Sequence, residues 1–157
     1  MNSSCEVPGP GGGVSPASRV TEAGSRIHRF QPAPSGDVPH AWAGVPIQDY
    51  KAAATHHCGV LRQVLVGESG EATRFHLRYF EIAPGGFTSL ERHRHEHVVV
   101  VLRGVGVARL ADAEYGLTFG DTLYVAPGEV HQLRNAGAEP FGFLCLVDAE
   151  RDRPEAV

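Results

Sequence analysis

The sequence predicts an all-β fold, a small sandwich or barrel, preceded by a disordered arm. From Val60 onward short β-prone runs follow one another, separated by Gly and Pro punctuation. No long stretch repeats its apolar side chains with a helical period, and a single helical turn near residues 48–54 is the one exception expected. Residues 1–40 are rich in Gly, Pro, Ser and Ala and hold too few large apolar side chains to offset the entropy of ordering them.

In chain order the elements are as follows. The Gly/Pro-rich arm covers 1–40. Residues 41–59 regain apolar side chains from Trp42 to Tyr50 and are expected to dock on the barrel wall or on a partner subunit. The barrel spans 60–148, and 149–157 form a tail. Within the barrel Leu61–Val66 is closed by the turn at 67–70, and Thr73–Ile82 is ended by Pro84-Gly85-Gly86. Phe87–His93, His97–Leu102, Gly104–Leu110, Gly116–Phe119, Thr122–Val125, Val130–Arg134 and Phe141–Val147 complete eight or nine short strands. Strands of that length and spacing suit a sandwich or barrel.

A chain of 157 residues holds one such domain and not two. Its formal net charge of −4 gives no electrostatic footprint for nucleic acid or an anionic membrane, and neither partner is expected. Cys5, Cys58 and Cys145 are scattered, odd in number and without a CxxC pair, so a reducing compartment is expected rather than a disulfide framework. The first residues lack a basic start followed by an apolar run, and the longest apolar stretch, Val98–Leu102, is far too short to span a bilayer. A cytoplasmic location is the expectation.

Chemistry concentrates in the histidines. Three of nine fall in the string Glu91-Arg92-His93-Arg94-His95-Glu96-His97, and His131 follows 34 residues after His97 at the start of a later strand. Residues two apart on a strand face the same way, so these rings converge on one side. Converging imidazoles are costly to bury unpaired, and a shared divalent cation removes that cost. The competing reading is a solvated edge strand with a polar His/Arg/Glu row.

The glycines around the histidines favour the metal. Gly85 to Gly104 resembles the first motif of the cupin superfamily, G(X)5HXH(X)3–4E(X)6G, with the glycines in register. That register puts Glu91 at the first His, His93 at the second and His97 at the Glu position. Gly120 to Asn135 resembles the second motif, G(X)5PXG(X)2H(X)3N, through Gly128, His131 and Asn135, with Pro127 one place nearer Gly128 than the pattern has it. The resemblance covers roughly residues 60–148. It implies a double-stranded β-helix, or jelly roll, of the small single-domain bacterial kind. It also implies one divalent transition metal, Fe, Mn, Ni, Cu or Zn, held by Glu91, His93, His97 and His131. A shifted register makes His93 and His95 the HXH pair but misplaces both glycines; His95 is then an alternative ligand or lies just behind the ligands.

Other residues stay open. His76 and Arg78 share a face with Phe80 and bind substrate if that face points inward; the opposite face of Phe75, Leu77 and Tyr79 makes the better core. Tyr124 either supplies a pocket hydroxyl or packs. Cys145, in an apolar run, reads as a packed thiol. The resemblance implies a metal-dependent enzyme, foremost a dioxygenase-like oxidoreductase acting on a small organic acid, thiol or enol. A metal-dependent isomerase or lyase, or a non-enzymatic binding or accessory cupin, is the alternative. Cupins commonly pair through outer strands, so a homodimer is expected.

Overall fold

The computed structural model describes residues 19–20, 24–34, 36, 38–51, 56–151 and 155–157. Eight strands of four residues or more form the barrel: β1 Cys58–Val66, β2 Phe75–Phe87, β3 His97–Arg103, β4 Gly106–Leu110, β5 Ala113–Leu117, β6 Thr122–Val125, β7 His131–Asn135 and β8 Phe141–Asp148. They pair antiparallel in the order β5-β4-β7-β2-β8-β3-β6, with β1 against the other edge of β2. No helix occurs among the described residues.

The curled sheet has two apolar faces, which is why β2 lacks a simple in/out alternation. Phe80 and Ile82 of β2 pack inside with Val60, Val99, Val101, Leu133, Phe141, Phe143, Cys145 and Val147. The opposite face of the same strands carries Tyr79 and Leu65 with Val45, and Trp42, Leu77, Leu102 and Leu144 pack against them. Segment 38–45 therefore covers the outer wall, with the Trp42 and Tyr79 rings 4.8 Å apart, while Tyr50 turns inside against Phe80.

That cover is pinned by a buried polar network. Arg103 donates to Glu81 Oε1 at 2.9 Å and to the carbonyls of Val38 and Gly36, both at 2.8 Å. Glu81 accepts from the Tyr79 hydroxyl at 2.6 Å and from the His40 amide at 3.0 Å. Gln63 donates to the His40 carbonyl and accepts from the Trp42 amide.

Several expected boundaries move. β2 does not end at Pro84 but continues to Phe87, because the pairing with β1 slips there: Val60 faces Ile82 while Cys58 faces Phe87. Pro84-Gly85-Gly86 is a bulge inside the strand rather than its terminator. The Phe87–His93 run shrinks to a two-residue strand, Glu91–Arg92, and Gly116–Phe119 becomes β5, four residues of which are exposed. Gln48–Asp49 pairs with β1 instead of opening a helical turn; residues 52–55 lie outside the described set. Most of the 1–40 arm, residues 1–18 included, also lies outside it. From Gly24 the described part runs as short strands, and Arg26 pairs with Glu71 at 2.6 Å.

Candidate metal centre

Three chain segments deliver the imidazoles to one end of the barrel interior. His131 opens β7 and faces Glu91 of the Glu91–Arg92 strand. His93 follows that strand at once, and His97 opens β3. The loop before His131 is tied to His93, since the Gly128 amide donates to the His93 carbonyl at 2.7 Å. Gly128 adopts φ 80°, a conformation that favours glycine, so this cross-link has a physical need for that residue.

One ring nitrogen from each of His93, His97 and His131 lies within 4.8 Å of the other two. The ring centroids of His93 and His97 are 4.5 Å apart, and that of His131 is 4.8 Å from the first and 5.2 Å from the second. The far side of each ring is anchored. His93 Nδ1 meets the His95 carbonyl at 2.7 Å, His131 Nδ1 the Glu129 carbonyl at 2.9 Å, and His97 Nδ1 the Cys145 thiol at 3.4 Å. The carbonyl partners of His93 and His131 place the proton on Nδ1 of those two rings and leave Nε2 as the lone pair.

Nε2 of His93 and of His97 are buried and have no hydrogen-bond partner. Buried polar atoms are rarely left so. All three rings are held neutral. Burial, then the neighbouring His95, pushes His93 down to about 4. Burial, then His93 and His131, pushes His97 lower still. Burial lowers His131 as well. Neutral imidazoles with inward lone pairs are the donor set a divalent transition metal takes, so the residues fit the ion.

The other expected ligands stand apart from this triad. Glu91 is buried and lines the same cavity, but its Oε2 is engaged by the Lys51 ammonium and it is not one of the three converging groups. His95 lines the cavity with its ring stacked 3.7 Å from that of His93. Arg78 faces inward, its guanidinium 5.0 Å over the Phe80 ring and 3.3 Å from Cys145 Sγ. His76 shares that face but sits beyond the cavity, beside Arg151 at 3.3 Å. Tyr124 does not reach the cavity. It is 56% exposed and donates to Glu96 at 2.7 Å, because alternation on β6 turns Val125 inward and Tyr124 out.

Sequence reasoning did not find Lys51, Arg62 and Arg151, all of which line the cavity beside Arg78. Arg62 was accessible through parity, since it is two residues from Val60 on β1. Lys51 and Arg151 lie outside the barrel strands, and no periodicity points to them. Cys145 is packed as expected, yet it also lines the cavity and touches both His97 and Arg78.

Residues 78–147 match the family model for the cupin domain. Over 117 residues the chain is 40% identical to the 1-methylthio-D-xylulose 5-phosphate methylsulfurylase of Rhodospirillum rubrum, covering 74% of each protein. The chain belongs to the cupin family. Among solved structures this cupin is similar to a cupin-2 domain from Rhodospirillum rubrum, with TM-score 0.71, 38% identity and 81% and 84% of the two chains covered. It is also similar to a cupin 2 conserved barrel protein from Rhodopseudomonas palustris, with TM-score 0.68, 36% identity and 78% and 83% covered.

Proposed function

We propose that this cupin is a metal-dependent enzyme that transfers the methylthio group of a small ketose, a substrate of the class in its Rhodospirillum relative's name, to a small thiol: the C–S bond breaks, the carbon takes up a proton and the thiol becomes a mixed disulfide. The observation that carries the metal is the pair of buried, partnerless Nε2 atoms of His93 and His97 beside His131. The 40% identity to that relative, over most of both chains, supports the choice of substrate. A metal held by the three imidazoles supplies a Lewis acid for a ketone oxygen.

The remaining lining residues suit that task. Phe80, Val99, Leu133 and Phe143 line the cavity together with the imidazoles and limit access of water. Among the described residues Glu91 is the single carboxylate on the lining, and Lys51 holds it. The cavity of about 190 Å³ is smaller than a drug-sized ligand needs, which favours a compact metabolite.

The second reading is an oxygen-dependent oxidoreductase acting on a small acid, thiol or enol, favoured by the apolar surroundings of the three-imidazole set. One experiment separates the two: metal-reconstituted protein is given the methylthio ketose phosphate together with a small thiol as acceptor, or candidate acids and thiols alone. Mass spectrometry then follows loss of the methylthio group, while an electrode follows dioxygen. Loss of the group without oxygen uptake is expected. Oxygen uptake coupled to consumption of an acid or thiol would replace the first reading with the second, and binding without turnover would mark a binding or accessory module.

The reading extends to a homodimer in a reducing, cytoplasmic setting. Exposed Tyr115, Phe119 and Tyr124 on and beside the edge strands β5 and β6 support the pairing, and the free thiols Cys58 and Cys145 support the compartment.

A further inference from the structure

Among the described residues the cavity wall next to the imidazoles carries four cations, Lys51, Arg62, Arg78 and Arg151, against one carboxylate, Glu91. Lys51 takes that carboxylate, and it also donates to Ser89 Oγ at 3.2 Å. None of the three arginines forms an ion pair among the described residues. Their partners are neutral: Arg62 donates to Gln48 Oε1 at 2.8 Å, Arg78 to Cys145 Sγ, and Arg151 to the Asp148 carbonyl at 3.2 Å. The Nε atoms of Arg62 and Arg78 are buried without any partner.

Guanidiniums gathered on one wall repel one another: burial first, then Arg78 and Arg62, disfavours the charge on Arg151, with Glu68 acting the other way. Such an arrangement is costly unless an anion closes it, and planar N–H forks match the oxygens of phosphate. Arg78 also adjoins the metal centre. Cys145 Sγ lies 3.3 Å from Arg78 Nη2 and 3.4 Å from His97 Nδ1, so one thiol separates the basic wall from the triad.

We infer that Arg62, Arg78 and Arg151 form a dianion subsite that holds the phosphate of a sugar phosphate while its carbonyl end reaches His93, His97 and His131. This assignment rests on the proposed function for the carbonyl end, but the anion subsite is measurable without turnover. It also gives the cavity a polarity, with phosphate at the wall built from β1, β2 and the segment of Arg151, and chemistry at the triad.

The test is calorimetric titration of the metal-loaded full chain with a pentulose 5-phosphate, with the same pentulose lacking phosphate, and with inorganic phosphate. The phosphorylated sugar binds, the neutral sugar binds far more weakly, and inorganic phosphate competes. In Arg151→Gln and Arg78→Gln the sugar phosphate binds roughly 10- to 100-fold more weakly, the effect of losing one charge-assisted hydrogen bond. Arg151→Lys restores part of the loss. Metal content and melting temperature, read on the same samples, show that the variants are folded. Equal affinity for both sugars, or undiminished phosphate binding in the Arg78→Gln, Arg151→Gln double variant, overturns the subsite. Arginine-dependent binding with no loss of a methylthio group leaves the subsite standing and removes the proposed reaction. Equal turnover of phosphorylated and neutral ketose does the reverse.

Discussion

His97 shows how one residue is made a ligand by its neighbours. Its Nδ1 faces a thiol, its buried Nε2 has no hydrogen-bond partner, and its ring lies beside His93 and His131, so burial and its neighbours oppose protonation. Replacing His97 or His131 by Ala removes one of three donors. Bound metal in protein purified without added metal falls well over tenfold, since disturbing a mere supporting partner already costs about 10–100-fold. His95→Ala retains the metal, because His95 is not one of the three converging groups. Elemental analysis decides, and equal metal in all the variants would dissolve the site.

The same rings give the metal-free protein an acid limit. The unfolded chain binds protons at ordinary imidazole values, whereas His93 in the fold does so only near 4 and His97 lower. As pH falls below the ordinary value the unfolded state gains protons that the folded state refuses. Stability therefore drops, by about 1.4 kcal/mol per pH unit for each such imidazole. Urea unfolding of metal-free protein between pH 7 and 4 should show this loss, and His97→Leu should reduce its slope. A flat profile would mean that the rings are hydrated rather than buried.

At the scale of elements, the decisive feature is the segment that covers the outer wall. The Glu81–Arg103 pair is 4% and 8% exposed by side chain, and it anchors the carbonyls of Gly36 and Val38. Arg103→Ala leaves the carboxylate buried and uncompensated and should cost about 3–5 kcal/mol in urea unfolding. The double change Glu81→Leu, Arg103→Leu should recover much of that. Limited proteolysis should meanwhile cut the freed segment near residues 36–43. Glycine matters at one crossing here, where the Tyr79 hydroxyl occupies the space a Gly142 side chain would need. Gly142→Ala should destabilise by about 1–3 kcal/mol through overpacking. A melting temperature within a degree of the parent would show that Tyr79 can move aside.

The strand edges were the least legible part of the sequence, for a reason visible in β2. A proline and two glycines ordinarily end a strand, but here a register slip against β1 absorbs them as a bulge. His76, Arg78 and Phe80 could not be assigned a face in advance because both faces of β2 are buried, one by the barrel and one by segment 38–45. Periodicity reports amphipathicity, and this strand has little.

For the whole molecule, the exposed aromatics by β5 and β6 set the expected quaternary state. Light scattering should give twice the chain mass, and a monomer would withdraw the dimer proposed from the exposed aromatics by β5 and β6. The sequence by itself determined the all-β class and the identity of His93, His97 and His131, because turn residues and fixed spacings are local properties of the chain. Only the tertiary structure decided that Glu91 is held by Lys51, that Tyr124 points outward, and that Arg62, Arg78 and Arg151 share one wall. Those facts depend on which distant strands and loops meet, and the distances that set an ion pair or a cavity wall are written in no single stretch of residues.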